Sequence, residues 1–311
     1  MEVNLAIECV ERLSREVFLD KFVSQNKPVI VRDALGSWRL DELWTPSYLV
    51  RRFGGQTVQV YDSYFNLTNL MTLGEYFRRY FGRTEGRGDS AKGPVPYVRW
   101  YTKLKDVDFI WADDAFRAFS ANWETPYFLP QTDYVLPYVP SPRRASPVLD
   151  HFPAKGLFIS GAGAKTGLHV DPWGSDAVLC QLYGTKRWTM YAPEQAPYLS
   201  CRGGVVDLDA PDHRTFPQFS RAEIACEFTL GPGHTVYVPH GWFHDVKTES
   251  DSISLTWNFV HSTTAATLLA ILRGELSDSD SSILRFFFSP ACGREASVAD
   301  WECLVMREFA R

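Results

Sequence analysis

Paired cysteines are missing from this 311-residue chain, although it contains six cysteine residues. The six stand far apart in the sequence, at Cys9, Cys180, Cys201, Cys226, Cys292 and Cys303. Zinc ribbons and thioredoxin-like redox sites need cysteines at Cys-x-x-Cys spacing, so the usual forms of both are excluded. Unpaired thiols suit a reducing compartment.

Long apolar runs and an excess of basic residues are also lacking. No segment approaches the roughly 20 apolar residues of a transmembrane helix. Acidic residues, Glu2 and Glu8, stand where a signal peptide would be cationic. We therefore expect an intracellular, cytoplasmic protein, or a nuclear one if the source is eukaryotic, with no membrane partner. The net charge of −5 disfavours nucleic acid as a partner without excluding it.

The sequence does contain a His-x-Asp motif, His169 and Asp171, with His244 further along the chain. Successive side chains of a strand alternate between its two faces, so the motif presents both groups on one side. Two imidazoles and one carboxylate on one face of a metal leave the opposite positions open, which is the arrangement of non-haem Fe(II) oxygenases. The alternative is coincidence, because so short a motif recurs by chance.

Lys186 follows a short turn that contains Gly184 and begins the strand predicted over Lys186–Tyr191. The turn connects this strand to the preceding apolar run from Ala177 to Tyr183. A lysine in this place could direct its ammonium into the mouth of a barrel. The alternative is a solvated charge at the end of a strand.

Together these segments resemble the JmjC oxygenases, and especially their small hydroxylase branch within the cupin superfamily. The resemblance covers residues 161–172, 184–188, 207–212, 216–220, 231–244 and 256–259, in the order of that family. It implies a mainly β protein with appended helices. The core would be a double-stranded β-helix, the jelly-roll barrel of cupin and JmjC proteins, with an N-terminal α/β layer and C-terminal helices.

The resemblance also implies a site. His169, Asp171 and His244 would bind Fe(II), whereas His240 would not take part. Lys186 would bind the distal carboxylate of 2-oxoglutarate, and O2 would be the second cosubstrate. The other cosubstrate contacts would come from Thr166, Thr256, Tyr97 and Asn258.

Three regions are predicted along the chain: an N-terminal helical and strand layer over 1–94, the catalytic core over 95–260 and C-terminal helices over 261–311. Ser14, Thr45 and Thr72 each stand where a helix should begin. The segments 263–273 and 300–309 predict helices, and the C-terminal helices could form a homodimer. The proline-rich segment 137–153 predicts either a binding loop or a surface connection.

Several functions agree with this pattern. The leading prediction is hydroxylation of an aliphatic C–H group in a protein or peptide side chain, with a lysyl side chain as one candidate and succinate and CO2 as coproducts. The alternatives are demethylation of N-methyl-lysine, hydroxylation of a modified tRNA base, and hydroxylation of a small molecule or sugar. A catalytically inactive cupin that binds a partner is the non-enzymatic alternative.

Overall fold

The computed structural model describes residues 6–82, 94–101, 122, 124–136, 155–276, 285, 288, 305 and 306. The strands in these ranges are β1 Cys9–Val10, β2 Val29–Val31, β3 Thr57–Tyr61, β4 Leu67–Thr72, β5 Tyr97–Tyr101, β6 Tyr134–Val135, β7 Lys155–Ser160, β8 Lys165–His169, β9 Asp176–Tyr183, β10 Lys186–Tyr191, β11 Ser200–Cys201, β12 Gly204–Val205, β13 Cys226–Leu230, β14 Thr235–Val238, β15 Phe243–Thr248, β16 Ser252–Phe259 and β17 Val305–Met306. The α-helices are α1 Arg15–Val17, α2 Leu40–Leu43, α3 Pro46–Phe53, α4 Leu73–Tyr80, α5 Ala196–Leu199 and α6 Ala265–Arg273.

Two sheets form the core of the fold. The larger sheet has nine strands in the order β1-β2-β14-β9-β16-β7-β5-β3-β4, and the smaller has four in the order β13-β10-β15-β8. Neighbouring strands of the barrel region run antiparallel and come from distant parts of the chain. The expected mainly β jelly-roll fold is confirmed. Strands β1 to β4 extend the larger sheet, so residues predicted as an N-terminal layer share a sheet with the barrel.

Alternation along the central strand β16 separates two environments. Ile253, Leu255 and Trp257 enter the main hydrophobic core. The intervening Ser254 and Thr256 are also buried, but their side chains point to the opposite face. That opposite face is the barrel interior, where the larger sheet meets the smaller one. Strand β16 therefore has an apolar outer face and a polar inner face, whereas the inner faces of β9 and β14 contribute Leu179 and Val236 to a second apolar cluster inside the barrel.

The N-terminal helices begin where the sequence predicts. The hydroxyls of Ser14, Thr45 and Thr72 accept hydrogen bonds from the backbone N–H three residues ahead, which caps α1, α3 and α4. Beyond α1 the chain continues as a π-helical turn over Phe18–Val23. Phe18 and Phe22 are buried against the outer wall of the larger sheet, in the main core.

The C-terminal part agrees with prediction at one helix and corrects another. Helix α6 lies within the predicted segment 263–273. The predicted helix over 300–309 is wrong at Val305–Met306, where the chain is a strand paired with β6, because cross-strand hydrogen bonds outweigh the local helical pattern there. The segment 137–153 and most of the predicted dimer region lie outside the described residues. Among the helices that are described, none is long and apolar enough to cross a membrane.

The turn between β9 and β10 offers a test of the fold beside the site. Gly184 has a positive φ of 67°, and a Cβ added there would lie 1.9 Å from the carbonyl oxygen of Asp251. Gly203 has a comparable φ of 81° with nothing within 4 Å of an added Cβ. We expect Gly203→Ala to lower the free energy of unfolding by about 1–2 kcal/mol through backbone strain alone. Gly184→Ala should lower it by at least about 3 kcal/mol, because backbone atoms must also move apart.

Urea unfolding of the two variants and the wild type gives these differences directly. Equal losses for Gly184→Ala and Gly203→Ala would contradict the close packing of this turn against Asp251.

Candidate metal centre and adjoining pocket

Strand pairing brings the two predicted histidine ligands together. His169 is the last residue of β8 and lies directly opposite His244 on β15. Their ring centroids are 4.1 Å apart. Asp171 follows two residues after His169, and the nearest ligand atoms of the three side chains all lie within 4.8 Å of one another. Three side chains separated by up to 75 residues in sequence therefore converge on one point that could hold a metal ion.

Both imidazoles are oriented by backbone carbonyl groups. His169 Nδ1 lies 2.8 Å from the carbonyl oxygen of Gly167, and His244 Nδ1 lies 3.2 Å from that of Trp242. A neutral imidazole that donates through Nδ1 presents the lone pair of Nε2. This arrangement fixes the tautomer that metal coordination requires.

Burial favours the uncharged form of His169. Desolvation, and then the neighbouring His244, hold the pKa of His169 well below its ordinary value. Desolvation likewise raises the pKa of Asp171, which His244 and a hydrogen bond from Asn258 partly oppose. A bound cation would stabilise the ionised carboxylate, so the donor set fits a divalent metal.

Trp188 supports the centre from the barrel interior. Its ring is stacked on His244, with centroids 5.7 Å apart and planes inclined by 23°. Phe228 stacks on the same indole, with centroids 5.9 Å apart. Trp188 thus belongs to the apolar core, as its sequence context suggests, and also fixes the plane of a candidate ligand.

Lys186 is 1% exposed and enters the barrel from the smaller sheet. Its Nζ donates to Ser254 Oγ at 2.8 Å and lies 5.3 Å from the ring centroid of Tyr97. Desolvation, and then the charge of Arg99, lower the pKa of Lys186 to about 7. The alternative of a solvated charge at a strand end is therefore wrong.

The other predicted cosubstrate residues are also buried. Thr166 lies on β8, and Thr256 and Asn258 lie on β16. The hydroxyl of Tyr97 pairs with Thr248 Oγ1 at 2.9 Å. Tyr97 therefore faces Lys186 with its ring, while its hydroxyl group is bonded to the smaller sheet.

Arg99 is a pocket residue that the sequence reasoning missed. It is fully buried on β5, and its Nη2 donates to Thr166 Oγ1 at 3.2 Å. The signal was present, because Arg99 stands two residues after Tyr97 in an otherwise apolar strand and so must share its face. A single cation in such a run is a candidate for an inward-facing charge.

Phe65 was missed as well, since its position depends on a turn. The carboxylate of Asp62 accepts from the backbone N–H groups of Tyr64 and Asn66, which closes the β3–β4 turn. Phe65 takes a positive φ of 65° in this turn. Its ring centroid then lies 4.9 Å from that of His169. The N-terminal strands thereby supply one wall of the metal centre.

The acidic motif at Asp207 and Asp209 has a structural role in the described contacts. Lys165 bridges to Asp209 at 2.6 Å and to the buried Asp245 at 3.2 Å. The hydroxyl of Tyr64 donates to Asp207 at 2.9 Å. These contacts tie the segment after β12 and the β3–β4 turn to the strands that carry the histidines.

His240 lies apart from the three converging side chains. Its backbone N–H donates to the buried carboxylate of Asp176 at 2.9 Å, and its Nδ1 lies 3.2 Å from the same oxygen. The candidate metal group among the described residues contains His244 and not His240. This agrees with the family pattern, in which the second histidine of the segment binds the metal.

The jelly-roll fold and a His-Asp-His group at one end of its barrel are the features of a cupin metalloprotein. A family profile described as a cupin-like domain matches residues 14–265. The chain therefore belongs to the cupin-like domain family, and the predicted relationship to JmjC proteins is confirmed.

Three relatives show the range of this similarity. The arginine-specific demethylase JMJ20 of Arabidopsis thaliana is 24% identical over 88% of this chain and 61% of its own length. The 2-oxoglutarate and iron-dependent oxygenase JMJD4 of Gallus gallus is 29% identical over 39% of this chain and 30% of its own length. The tRNA wybutosine-synthesizing protein 5 of Gallus gallus is 24% identical over 82% of this chain and 77% of its own length. The chain spans less than two thirds of the first two relatives.

Single substitutions should separate the three ligands from the nearby histidine. We expect His169→Ala, Asp171→Ala and His244→Ala each to weaken Mn(II) binding by well over the tenfold to hundredfold typical of an outer-shell change. His240→Ala, the matched control, should bind Mn(II) as the wild type does. Calorimetric or electron paramagnetic titration measures each affinity, and circular dichroism checks the fold. Wild-type Mn(II) affinity in Asp171→Ala would show that the carboxylate ligand lies elsewhere.

Proposed function

We propose that this protein is an Fe(II)- and 2-oxoglutarate-dependent dioxygenase. The observation that carries the proposal is the convergence of His169, Asp171 and His244 on one point. Such a set occupies one face of an octahedral ion and leaves positions for a bidentate cosubstrate and O2. The similarity to an oxygenase named for 2-oxoglutarate and iron supports the same reaction.

The buried Lys186 supports the assignment of 2-oxoglutarate as the cosubstrate. A dicarboxylate that entered the barrel would lose its hydration, so at least one carboxylate needs a charged partner. Lys186 is a buried cation on a strand paired with β15, the strand that carries His244. Its hydrogen bond to Ser254 directs the ammonium toward the larger sheet. We assign Lys186 to the distal carboxylate of 2-oxoglutarate, with hydroxyl contacts from Thr166 and Thr256.

When bound, Fe(II) would couple oxidative decarboxylation of 2-oxoglutarate to insertion of one oxygen atom into a C–H bond, with succinate and CO2 as coproducts. The chain itself holds and orients the reactants. Asn258 holds the Asp171 carboxylate, and Trp188 fixes the plane of His244. Phe65 covers the side of His169 and limits the access of water there.

The oxidised group, we propose further, belongs to a polypeptide. The relatives named as demethylases of arginine and lysine support this class of substrate. A surface beside the metal centre supports it as well. This exposed ledge consists of four side chains of the β3–β4 hairpin, with exposed fractions of 59% for Tyr64, 40% for Phe65, 55% for Leu67 and 52% for Leu70.

The ledge is continuous with the pocket. Leu67 is paired with Tyr61, and Tyr61 with Tyr97, so the three side chains form one row across β4, β3 and β5. Cross-strand partners share a face of the sheet. The row therefore leads from the exposed edge to the ring beside Lys186. Apolar side chains exposed next to a site are typical of a docking surface for another chain.

The pKa of Lys186 predicts how 2-oxoglutarate binding depends on pH. Below pH 7 the free protein already carries the ammonium, so affinity should be constant there. Above pH 7 the amine is neutral and binding must recruit a proton, so affinity should fall roughly tenfold for each further pH unit. Lys186→Met should bind more weakly at pH 6.5 and show no such fall. Calorimetric titration of the Mn(II)-loaded protein between pH 6 and 9 measures both; constant wild-type affinity over this range would contradict the assignment.

The polypeptide proposal predicts where labelled oxygen appears. Wild-type protein, Fe(II), 2-oxoglutarate and ¹⁸O2 should add one oxygen atom to a specific side chain in a lysate from the source cells, as detected by mass spectrometry. His169→Ala is the control for iron-driven oxidation of Met and Cys. Label confined to RNA or metabolites would reject a polypeptide substrate, and formaldehyde release from N-methylated peptides would identify a demethylase.

Two variants test the ledge in the same assay. Leu70→Glu should lower labelling of the polypeptide at least about tenfold while succinate formation without substrate is retained, because a charge replaces a desolvated apolar contact. Val17→Glu changes an exposed residue near the opposite end of the larger sheet and should have no effect. Equal labelling by Leu70→Glu and the wild type would exclude the ledge as a docking surface.

A further inference from the structure

Arg99 and Lys186 approach the same part of the barrel from different sheets. Arg99 is paired with Phe158, and Phe158 with Ser254, so the three residues form a row across β5, β7 and β16. Lys186, on the smaller sheet, donates a hydrogen bond to Ser254, the last member of this row. The row therefore has a cation at each end, with the ring of Phe158 between them.

Both cations lie near the same two aromatic rings. The guanidinium carbon of Arg99 lies 5.2 Å from the ring centroid of Tyr97 and 5.9 Å from that of Phe158. The corresponding distances for Lys186 Nζ are 5.3 Å and 5.9 Å. Both groups are buried. Both cations therefore border the same pair of rings, and the charge of Arg99 is near enough to contribute to the lowered pKa of Lys186.

Thr166 links Arg99 to the strand that carries a candidate metal ligand. Arg99 Nη2 donates to Thr166 Oγ1 at 3.2 Å, and Thr166 stands three residues before His169 on β8. The Thr166 hydroxyl proton remains available for donation to a ligand. An anion between the two cations would therefore meet hydrogen-bond donors from both sheets.

The chemistry of the pair favours a carboxylate. Two like charges repel in a buried site, and burial itself disfavours the ammonium form of Lys186, so an arriving anion would be stabilised by both. A guanidinium presents parallel N–H groups that match the two oxygens of a carboxylate. The guanidinium of Arg99 lies over Phe65, with its carbon 3.7 Å from the ring centroid, which holds it in a fixed orientation.

We infer that Arg99 is a second cation of the cosubstrate site and binds, together with Lys186, the distal carboxylate of 2-oxoglutarate. This inference rests on the proposed function. It makes the pocket selective for dicarboxylates, because a 2-oxo acid without the distal carboxylate would lose the contacts with both cations. Arg99 would thus determine which 2-oxo acid the enzyme accepts, independently of the metal ligands.

A comparison of two ligands tests this role. 2-Oxopentanoate has the chain length of 2-oxoglutarate but no distal carboxylate. In Mn(II)-loaded protein, Arg99→Gln should weaken 2-oxoglutarate binding about tenfold to a hundredfold, the effect of losing one charge-assisted hydrogen bond. Its affinity for 2-oxopentanoate should stay within about twofold of the wild type, and Arg99→Lys should recover part of the loss for 2-oxoglutarate.

The matched control is Arg187→Gln, because Arg187 is an exposed arginine of the same barrel that pairs with Glu227 at 3.7 Å. It should bind both acids as the wild type does. Equal weakening of both acids in Arg99→Gln would assign Arg99 to packing alone and overturn the inference. Unchanged 2-oxoglutarate affinity, with or without a higher KM for the polypeptide, would also overturn it. Failure of the wild type itself to bind 2-oxoglutarate would instead reject the proposed function.

Discussion

The antiparallel pairing of β8 with β15 is the constraint on which the candidate site depends. It sets His169 opposite His244, and a shift of one residue would turn an imidazole to the outer face. The ion pair between Lys165 and Asp245 holds these two strands on the outer side, one residue along from His244. The register irregularity between His244 and Val246 lies at the same point, where a bulge re-aims a side chain. The backbone hydrogen bonds between β8 and β15 thus position both the outer ion pair and the inner histidines.

Two buried cations make part of the barrel interior favourable for binding an anion. Lys186 and Arg99 enter it as buried cations, while both histidines are held in the tautomer that coordinates a metal. Asp171 contributes a carboxylate at the metal end. A divalent ion and a dicarboxylate would therefore stabilise a site whose separate charges are costly to bury. Metal and cosubstrate binding should both increase the stability of the folded protein by mass action.

The sequence was sufficient for features that depend on local pattern. Helix caps at Ser14, Thr45 and Thr72 were predicted from residue type and spacing, and the structure confirms them. The family resemblance supplied the jelly-roll fold, which the cupin-like family match bears out. It also supplied three site residues that the structure brings together, although their function as ligands stays a prediction.

Features that depend on pairing between distant segments of the chain could not be predicted from the sequence. The contact of Phe65 with His169 requires the β3–β4 turn to lean against β8, and nothing in either segment encodes that approach. Val305–Met306 forms a strand because β6 offers a partner, against a local pattern that favours a helix. Arg99 is the exception. Strand alternation alone places it on the same face as Tyr97, so its inward position could have been predicted from the sequence.

The position of β16 has a consequence for synthesis of the protein. This strand, Ser252–Phe259, lies between β9 and β7. Because β7 and β9 are synthesised earlier, the edges that will pair with β16 stay unpaired until it emerges. The barrel cannot close until Phe259 has left the ribosome, well after β7 and β9 have emerged. Nascent chains expose sheet edges of the kind that promote aggregation throughout that interval. Protection of the open edges of β7 and β9 during that interval should then favour the yield of folded protein.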